Sequence, residues 1–195
     1  MKERGTVILF GCSTGGIRAM QMAFGTLPEG YPWPLVGVCH VGERGEWLLP
    51  ELLGRSCRLR VQGAREKECM QAGRIYLAPP GYHLLLEQDS SFSLSVDEKV
   101  HGSRPAIDPL FESAADSLAE HLVAVILSGA NGDGAAGACR VVAKGGFCII
   151  QDPATAEARE MPLAALACVP EQHRVVLALE KIAPYLREMG VRANG

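Results

Sequence analysis

Ser13, His40 and Asp133 each follow a short apolar run of the kind that forms a buried strand. Ligands of open parallel sheets bind at the carboxyl ends of the strands, so side chains that leave different strands at this edge meet there. Serine, histidine and aspartate supply the nucleophile, the general base and the group that orients the base. Their chain order differs from the Ser–Asp–His order of the α/β-hydrolases, but a triad is defined by geometry. We therefore predict a hydrolytic triad at this edge.

The serine lies in a glycine-rich motif, Gly-Cys-Ser-Thr-Gly-Gly, at residues 11–16, between an apolar run and a segment with helical periodicity. Strand, tight turn and helix is the setting in which Gly-x-Ser-x-Gly forms a nucleophile elbow. Backbone N–H groups at the start of the helix could hold an oxyanion there. The rival interpretation is a phosphate-binding loop, but the motif lacks the lysine of a P-loop. Cys12 is expected to point into the sheet, so we exclude it as the nucleophile.

Each triad candidate also has an ordinary structural explanation. Ser13 could cap the following helix, Asp133 could form an Asx-turn, and His40 could be a hydrogen-bonded residue at a sheet edge. Their coincidence at one predicted edge favours the triad. His83 begins a predicted strand and is a poorer base, whereas His101 lies in a polar excursion that could reach the cleft. No His, Cys and Asp cluster has metal-ligand spacing, so we predict neither a metal nor a cofactor.

Strands alternate with helices along most of the chain, which predicts the fold class. We expect an α/β fold with a doubly wound, mainly parallel sheet and an antiparallel hairpin, in a single three-layer domain over residues 1–195. The hairpin is predicted at residues 83–96. Helices are predicted at residues 110–121 and, near the end of the chain, at residues 175–189.

Composition limits the class of protein and its compartment. The net charge of -3 gives no reason to expect nucleic-acid binding, and no apolar run reaches the roughly 20 residues of a membrane-spanning helix. The N-terminus lacks a signal-peptide pattern, so we expect a cytoplasmic protein without membrane insertion. Seven cysteines without C-x-x-C spacing indicate reduced thiols. The four in apolar stretches are predicted to be buried: Cys39, Cys139, Cys148 and Cys168.

Several short motifs occur in a fixed order. They are GCSTGG at residues 11–16, VCH at 38–40, IYLAPPGYH at 75–83, SRPAIDPLFES at 103–113, LSG at 127–129, DGAAG at 133–137, QDP at 151–153 and MP at 161–162. In this order they resemble the catalytic domain of the chemotaxis protein-glutamate methylesterases, the CheB family. The resemblance extends over residues 7–186, nearly the full length of the chain.

The resemblance implies a doubly wound α/β fold and a triad made of Ser13, His40 and Asp133. It also implies roles for Thr14 beside the nucleophile and for His83 near the site. The implied activity is hydrolysis of γ-glutamyl methyl esters on the cytoplasmic helices of methyl-accepting chemoreceptors, together with deamidation of certain receptor glutamines. No cofactor is needed for either reaction.

The chain also departs from the family pattern. The family usually carries an N-terminal receiver domain and a linker, and we expect neither here, so the enzyme should act without a phosphodonor. Met-Pro commonly follows the histidine in the family, where this chain has Val41 and Gly42. Before the aspartate, Ala130 replaces a methionine and Asn131 replaces a glycine. The amide of Ala130 could still contact an oxyanion, and Asn131 tolerates a left-handed backbone. These departures concern receptor specificity and regulation more than the reaction.

Three alternatives stay open from the sequence. The protein could be an esterase or amidase with another substrate, a nucleotide-binding or regulatory module that uses the glycine-rich loop, or a non-catalytic chemotaxis adaptor. Labelling with a fluorophosphonate separates them, because only an activated serine reacts.

Overall fold

Short apolar runs form the strands of the protein, for which a computed structural model describes residues 5–40 and 47–192. The strands are β1 (Val7–Cys12), β2 (Leu35–Cys39), β3 (Arg60–Gly63), β4 (Arg74–Leu77), β5 (His83–Leu86), β6 (Phe92–Ser95), β7 (Leu122–Ile126), β8 (Phe147–Gln151) and β9 (Arg174–Leu177). The helices are α1 (Gly16–Phe24), α2 (Leu49–Gly54), α3 (Ile107–Leu118), α4 (Ala135–Ala143), α5 (Glu160–Cys168) and α6 (Leu179–Arg192).

Seven parallel strands form the central sheet, in the order β3-β4-β2-β1-β7-β8-β9. Strands β5 and β6 form a separate antiparallel pair. The predicted doubly wound, mainly parallel sheet with an antiparallel hairpin is therefore confirmed. Strands β2, β4 and β3 lie outwards from β1 on one side, and β8 and β9 lie outwards from β7 on the other. The carboxyl ends of β1 and β7 thus mark the topological switch point, where ligands of such sheets bind.

Helices cover both faces of the sheet, because alternate residues of each central strand point to opposite sides. In β1, Val7 and Leu9 join the core on one face, whereas Ile8 and Phe10 join the core on the other. Helices α3, α4 and α5 pack on the first face, and α1, α2 and α6 on the second. This packing gives the three layers that the sequence predicts. In the described part of the chain, no helix has the length and apolar character needed to cross a membrane.

Two helix predictions need correction. Residues 174–177, within or beside the predicted terminal helix, form β9, which pairs in parallel with β8. Their run of β-branched residues favours an edge strand, and the helix begins only at Leu179. Helix α3 begins earlier than predicted, at Ile107, and contains Pro109 in its first turn. Proline is tolerated there because the first amides of a helix have no intrahelical acceptor.

The cysteine prediction is wrong for one pair. Cys139 of α4 and Cys168 at the end of α5 form a disulfide across 29 residues of chain, and Cys168 is exposed. Cys39 and Cys148 are free and buried, as predicted. The pairing results from the packing of α4 beside α5, which the spacing of two distant cysteines does not reveal.

Candidate active site

Ser13 lies in the turn between β1 and α1, as the glycine motif predicts. Its amide donates to the carbonyl oxygen of Ser128 at 2.9 Å, and its own carbonyl accepts from the Gly16 amide at 2.8 Å. Gly15 has φ 75°, in the left-handed region that favours glycine. A Cβ atom at Gly15 would also lie 2.6 Å from the side chain of Glu157. Hydrogen bonds therefore hold both the amide and the carbonyl group of Ser13, and its side chain is half-buried.

His40 lies beside Ser13 because the two residues follow paired positions on neighbouring strands. Cys12 and Cys39 are register partners of β1 and β2. The His40 amide donates to the carbonyl oxygen of Cys12 at 3.0 Å, which continues the ladder by one residue. Only 10% of the His40 side chain is exposed.

Asp133 reaches the same edge from the turn before α4 and is completely buried. Its Oδ2 atom lies 2.7 Å from Nε2 of His40. The same oxygen accepts from the Ile107 amide at 2.7 Å, and Oδ1 accepts from the Asp108 amide at 3.0 Å. The carboxylate thus satisfies two amides of the first turn of α3. Asn131 supports the turn through its side chain, which accepts from the Asp133 amide at 3.2 Å.

The surroundings of Asp133 favour its ionised form. Burial raises the pKa of this carboxyl group, but the hydrogen bonds from His40 and from the two amides of α3 lower it by more, so the pKa lies below its usual value. An ionised carboxylate only accepts hydrogen bonds, so Nε2 of His40 carries the proton that points at Asp133. The other ring nitrogen, Nδ1, is then the one that can accept a proton.

Within the residues that the structure describes, the Ser13 hydroxyl makes no hydrogen bond to His40. The structure therefore joins His40 to Asp133 directly, and it brings Ser13 next to them through the backbone. Catalytic hydrogen bonds are often long or poorly aligned before substrate binds, so this geometry is compatible with a triad. The thiol of Cys12 is buried, and a hydrogen bond with Cys39 together with burial raises its pKa well above the usual value. It stays protonated, which agrees with its exclusion as the nucleophile.

Among the backbone amides of the site that have no acceptor within the described residues, two directly follow Ser13 and Gly129. They are the amides of Thr14, in the exposed turn after Ser13, and of Ala130, in the exposed turn after β7. Ser128 holds these turns together. Its hydroxyl donates to the Thr14 carbonyl at 2.7 Å and accepts from the Ala158 amide at 2.9 Å. The Ser128 amide donates to the buried side chain of Gln151 at 2.9 Å.

Ser128 was missed by sequence reasoning, although its position directly after the most apolar predicted strand was a usable signal.

His83 is buried, with 2% exposure. Its Nδ1 accepts from the Ala106 amide at 3.2 Å, and its Nε2 donates to the Glu98 carbonyl at 3.0 Å. His83 thus holds the residue that precedes α3, the helix whose amides bind Asp133.

One group of described side chains has the proximity of metal ligands. The ligand atoms of His101, Asp108 and Asp133 all lie within 4.8 Å of one another. Every carboxylate oxygen in the group already accepts a hydrogen bond, however, from a histidine or a backbone amide. Hydrogen bonding accounts for the arrangement, and the absence of a metal stays a prediction.

A comparison with protein families matches residues 8–186 to the sequence profile of the CheB methylesterases. The match covers most of the chain. The chain belongs to the CheB methylesterase family. The crystal structure of the CheB methylesterase catalytic domain of Thermotoga maritima superposes with a TM-score of 0.89 at 32% identity, over 95% of this chain and 99% of that one. The fold predicted from the resemblance is confirmed.

Relatives in the CheB family differ in how much of their length this chain matches. A Leptospira interrogans protein, provisionally named a protein-glutamate methylesterase/protein-glutamine glutaminase, is 45% identical over 178 residues, 90% of this chain and 90% of its own. A protein-glutamate methylesterase/protein-glutamine glutaminase of Methanospirillum hungatei is 39% identical over 82% of this chain but only 45% of its own length. Of the residues that depart from the family pattern, Ala130 lies exposed on its turn, whereas Val41 and Gly42 lie outside the described residues.

Proposed function

We propose that this chain is a serine hydrolase that demethylates γ-glutamyl methyl esters on the cytoplasmic helices of methyl-accepting chemoreceptors, and that it also deamidates receptor glutamines. The observation that carries the proposal is the His40–Asp133 pair, 2.7 Å apart, with the His40 amide hydrogen-bonded to Cys12, the residue before Ser13, in a CheB-family fold. Two relatives similar in sequence carry the names of both activities, provisionally in one case. Such receptor helices lie in the cytoplasm, which is where we place the enzyme.

In the proposed reaction, Nδ1 of His40 takes the proton of Ser13 as the hydroxyl oxygen attacks the ester carbonyl. Nε2–H of His40 keeps its hydrogen bond to Asp133, which stabilises the imidazolium that forms. The imidazolium then gives its proton to the departing methoxide, and methanol leaves. Water, activated by the same nitrogen, cleaves the acyl-enzyme to release a glutamate side chain. A glutamine substrate follows the same course with ammonia as the leaving group, and neither course needs a cofactor.

The oxyanion would be held by the amides of Thr14 and Ala130. Both lack acceptors within the described residues, and both border Ser13 on turns that Ser128 ties together. Loss of one such donor typically costs about 2.7–4 kcal/mol of transition-state stabilisation. Both contacts use the main chain, so replacement of a methionine by Ala130 leaves the donor in place. We assign His83 a supporting role, because both of its ring nitrogens hold the backbone that leads into α3.

The test is labelling with a fluorophosphonate, followed by methanol release from methylated receptor. We expect the wild-type chain to be labelled and Ser13→Ala to be neither labelled nor active, with an unchanged circular dichroism spectrum. His40→Ala should lose about as much activity as Ser13→Ala, and the double variant little more, because triad residues act as a unit. Full methanol release by Ser13→Ala would refute the proposal. Labelling without methanol release would instead favour an esterase with another substrate.

A further inference from the structure

The carboxylates of Asp133 and Asp108 bind the first turns of two neighbouring helices in a reciprocal way. Asp133, just before α4, accepts from the first two amides of α3. Asp108, the second residue of α3, accepts from the Gly137 amide of α4 at 2.7 Å. The position of Asp133 at His40 therefore depends on how Asp108 ties the two helices together.

Each of these buried carboxylates also contacts a histidine. Oδ2 of Asp133 faces His40, and Oδ2 of Asp108 faces Nε2 of His101 at 3.1 Å. An oxygen of each carboxylate lies within 4.8 Å of the other, and neighbouring like charges disfavour each other's ionisation. Hydrogen-bond donors that face the pair from both sides relieve this repulsion.

His101 reaches Asp108 from a two-residue turn that it forms with Gly102. Its φ is 49°, in the left-handed region that is costly for a residue with a side chain. Two backbone hydrogen bonds between Val100 and Ser103 close the turn around it, at 2.9 and 3.2 Å. Gly102 also has a positive φ, of 75°, so the two residues form the tight turn that connects the bridged residues Val100 and Ser103. The imidazole remains 45% exposed, so no packing requirement accounts for its placement.

We propose that Asp108 and His101 form a positioning pair for the triad, in which His101 orients Asp108 and Asp108 fixes the helix ends that hold Asp133 against His40. This inference rests on the proposed function. Neither residue contacts substrate in the proposed reaction. Both act through Asp133: they fix its position, and Asp108 places a negative charge beside it.

Other charged groups near the pair provide a matched control. Glu112, on α3, interacts electrostatically with Asp108 and with Arg140 of α4. Arg140 also forms an exposed ion pair with Asp116 of α3 at 2.7 Å. Asp116 thus links the same two helices as Asp108, but at the surface and away from the capping hydrogen bonds. Asp116→Asn tests whether any loss of an α3–α4 contact is enough to impair the enzyme.

The main variant is Asp108→Asn, which keeps an oxygen for the Gly137 amide but removes the charge. With p-nitrophenyl acetate, we expect kcat to fall about 10- to 100-fold, as it does when a hydrogen-bonding partner that orients a metal ligand is removed, while KM changes less than about twofold. The acid limb of the kcat/KM profile should move to lower pH by about half a unit or more, because a charge that favours protonated His40 is gone. Asp116→Asn should leave kcat and the acid limb unchanged.

His101 gives a second test that does not depend on a buried substitution. His101→Ala should lower kcat about three- to tenfold, and His101→Gln, which keeps an N–H donor, should recover most of it. Wild-type kcat in His101→Ala, or an unshifted acid limb in folded Asp108→Asn, would overturn the positioning pair. If Asp108→Asn does not fold, the His101 variants decide. A wild-type chain that hydrolyses no ester and takes no fluorophosphonate refutes the proposed function itself, whereas an active wild type with unaffected variants refutes only the pair.

Discussion

Asp133→Asn is expected to impair both stability and catalysis, because the carboxylate accepts three hydrogen bonds that an amide cannot all accept. One side of the side chain faces the Ile107 amide and His40, and the other faces the Asp108 amide. Asparagine has one oxygen and one NH2 group, so either orientation sets its NH2 against a backbone N–H. A buried donor without an acceptor costs about 1–3 kcal/mol. For a chain of this length, that loss corresponds to a decrease in Tm of about 2–12 °C.

The catalytic cost follows from the same geometry. If the NH2 group faces His40, it donates to Nε2, and the proton of the ring moves to Nδ1. Nδ1 then cannot take the Ser13 proton, and the corresponding change in other serine hydrolases lowers kcat about 10⁴-fold. If the oxygen faces His40 instead, the tautomer survives, but the charge that stabilises the imidazolium is lost.

Thermal unfolding by circular dichroism and initial rates on p-nitrophenyl acetate measure the two effects. Asp152→Asn is the matched control, because Asp152 also caps a turn after a strand, and among the described residues its side chain accepts one amide, from Ala154 at 2.9 Å. Asparagine can replace it there, so we expect wild-type kcat and a nearly unchanged Tm. An Asp133→Asn variant with more than a tenth of wild-type kcat would refute the assignment of Asp133 as the group that orients His40.

Three further predictions concern Ala130, the disulfide and the dependence of stability on pH. Ala130→Met should raise kcat/KM on methylated receptor helices more than on p-nitrophenyl acetate, because burial of a methionine side chain against the receptor would contribute about 1.5–3 kcal/mol to binding. An equal response of the two substrates would mean that residue 130 does not face the receptor. Reduction of the Cys139–Cys168 disulfide should lower the free energy of unfolding by about 3–4 kcal/mol for a 29-residue separation, and identical urea midpoints with and without reductant would contradict this. The lowered pKa of Asp133 stabilises the fold above the ordinary carboxyl pKa of about 3.9, and this contribution disappears as pH falls through the lower folded value. Urea midpoints of wild type and Asp133→Asn should therefore converge on acidification, and a constant difference would contradict this. The raised pKa of Asp108, caused mainly by burial, acts in the opposite direction, but Asp108 is present in both proteins.

The fold was largely predictable from the sequence because buried strands and the glycine turns leave local patterns. The elbow around Ser13 and the position of His40 follow from residues close to them in the chain. The environment of Asp133 does not, since its partners on α3 come about 26 residues earlier and reach it only when two helices pack together. His83 illustrates the same limit: its position at a strand start argued against a role as base, yet its hydrogen bonds hold the backbone before α3.

The order of strands in the sheet has a consequence for folding. Strands β1 to β4 lie on one side of the β1–β7 junction, and β7 to β9 lie on the other. Ser13 and His40 belong to the early half of the chain and Asp133 to the late half, so neither half contains all three residues of the proposed triad. Hydrolysis can begin only after the two halves have paired along β1 and β7, a contact between residues more than a hundred positions apart. Formation of contacts this distant in sequence is slow compared with local structure. The appearance of esterase activity during refolding therefore reports the closing of the sheet, and a nascent chain stays inactive until its second half has emerged and docked.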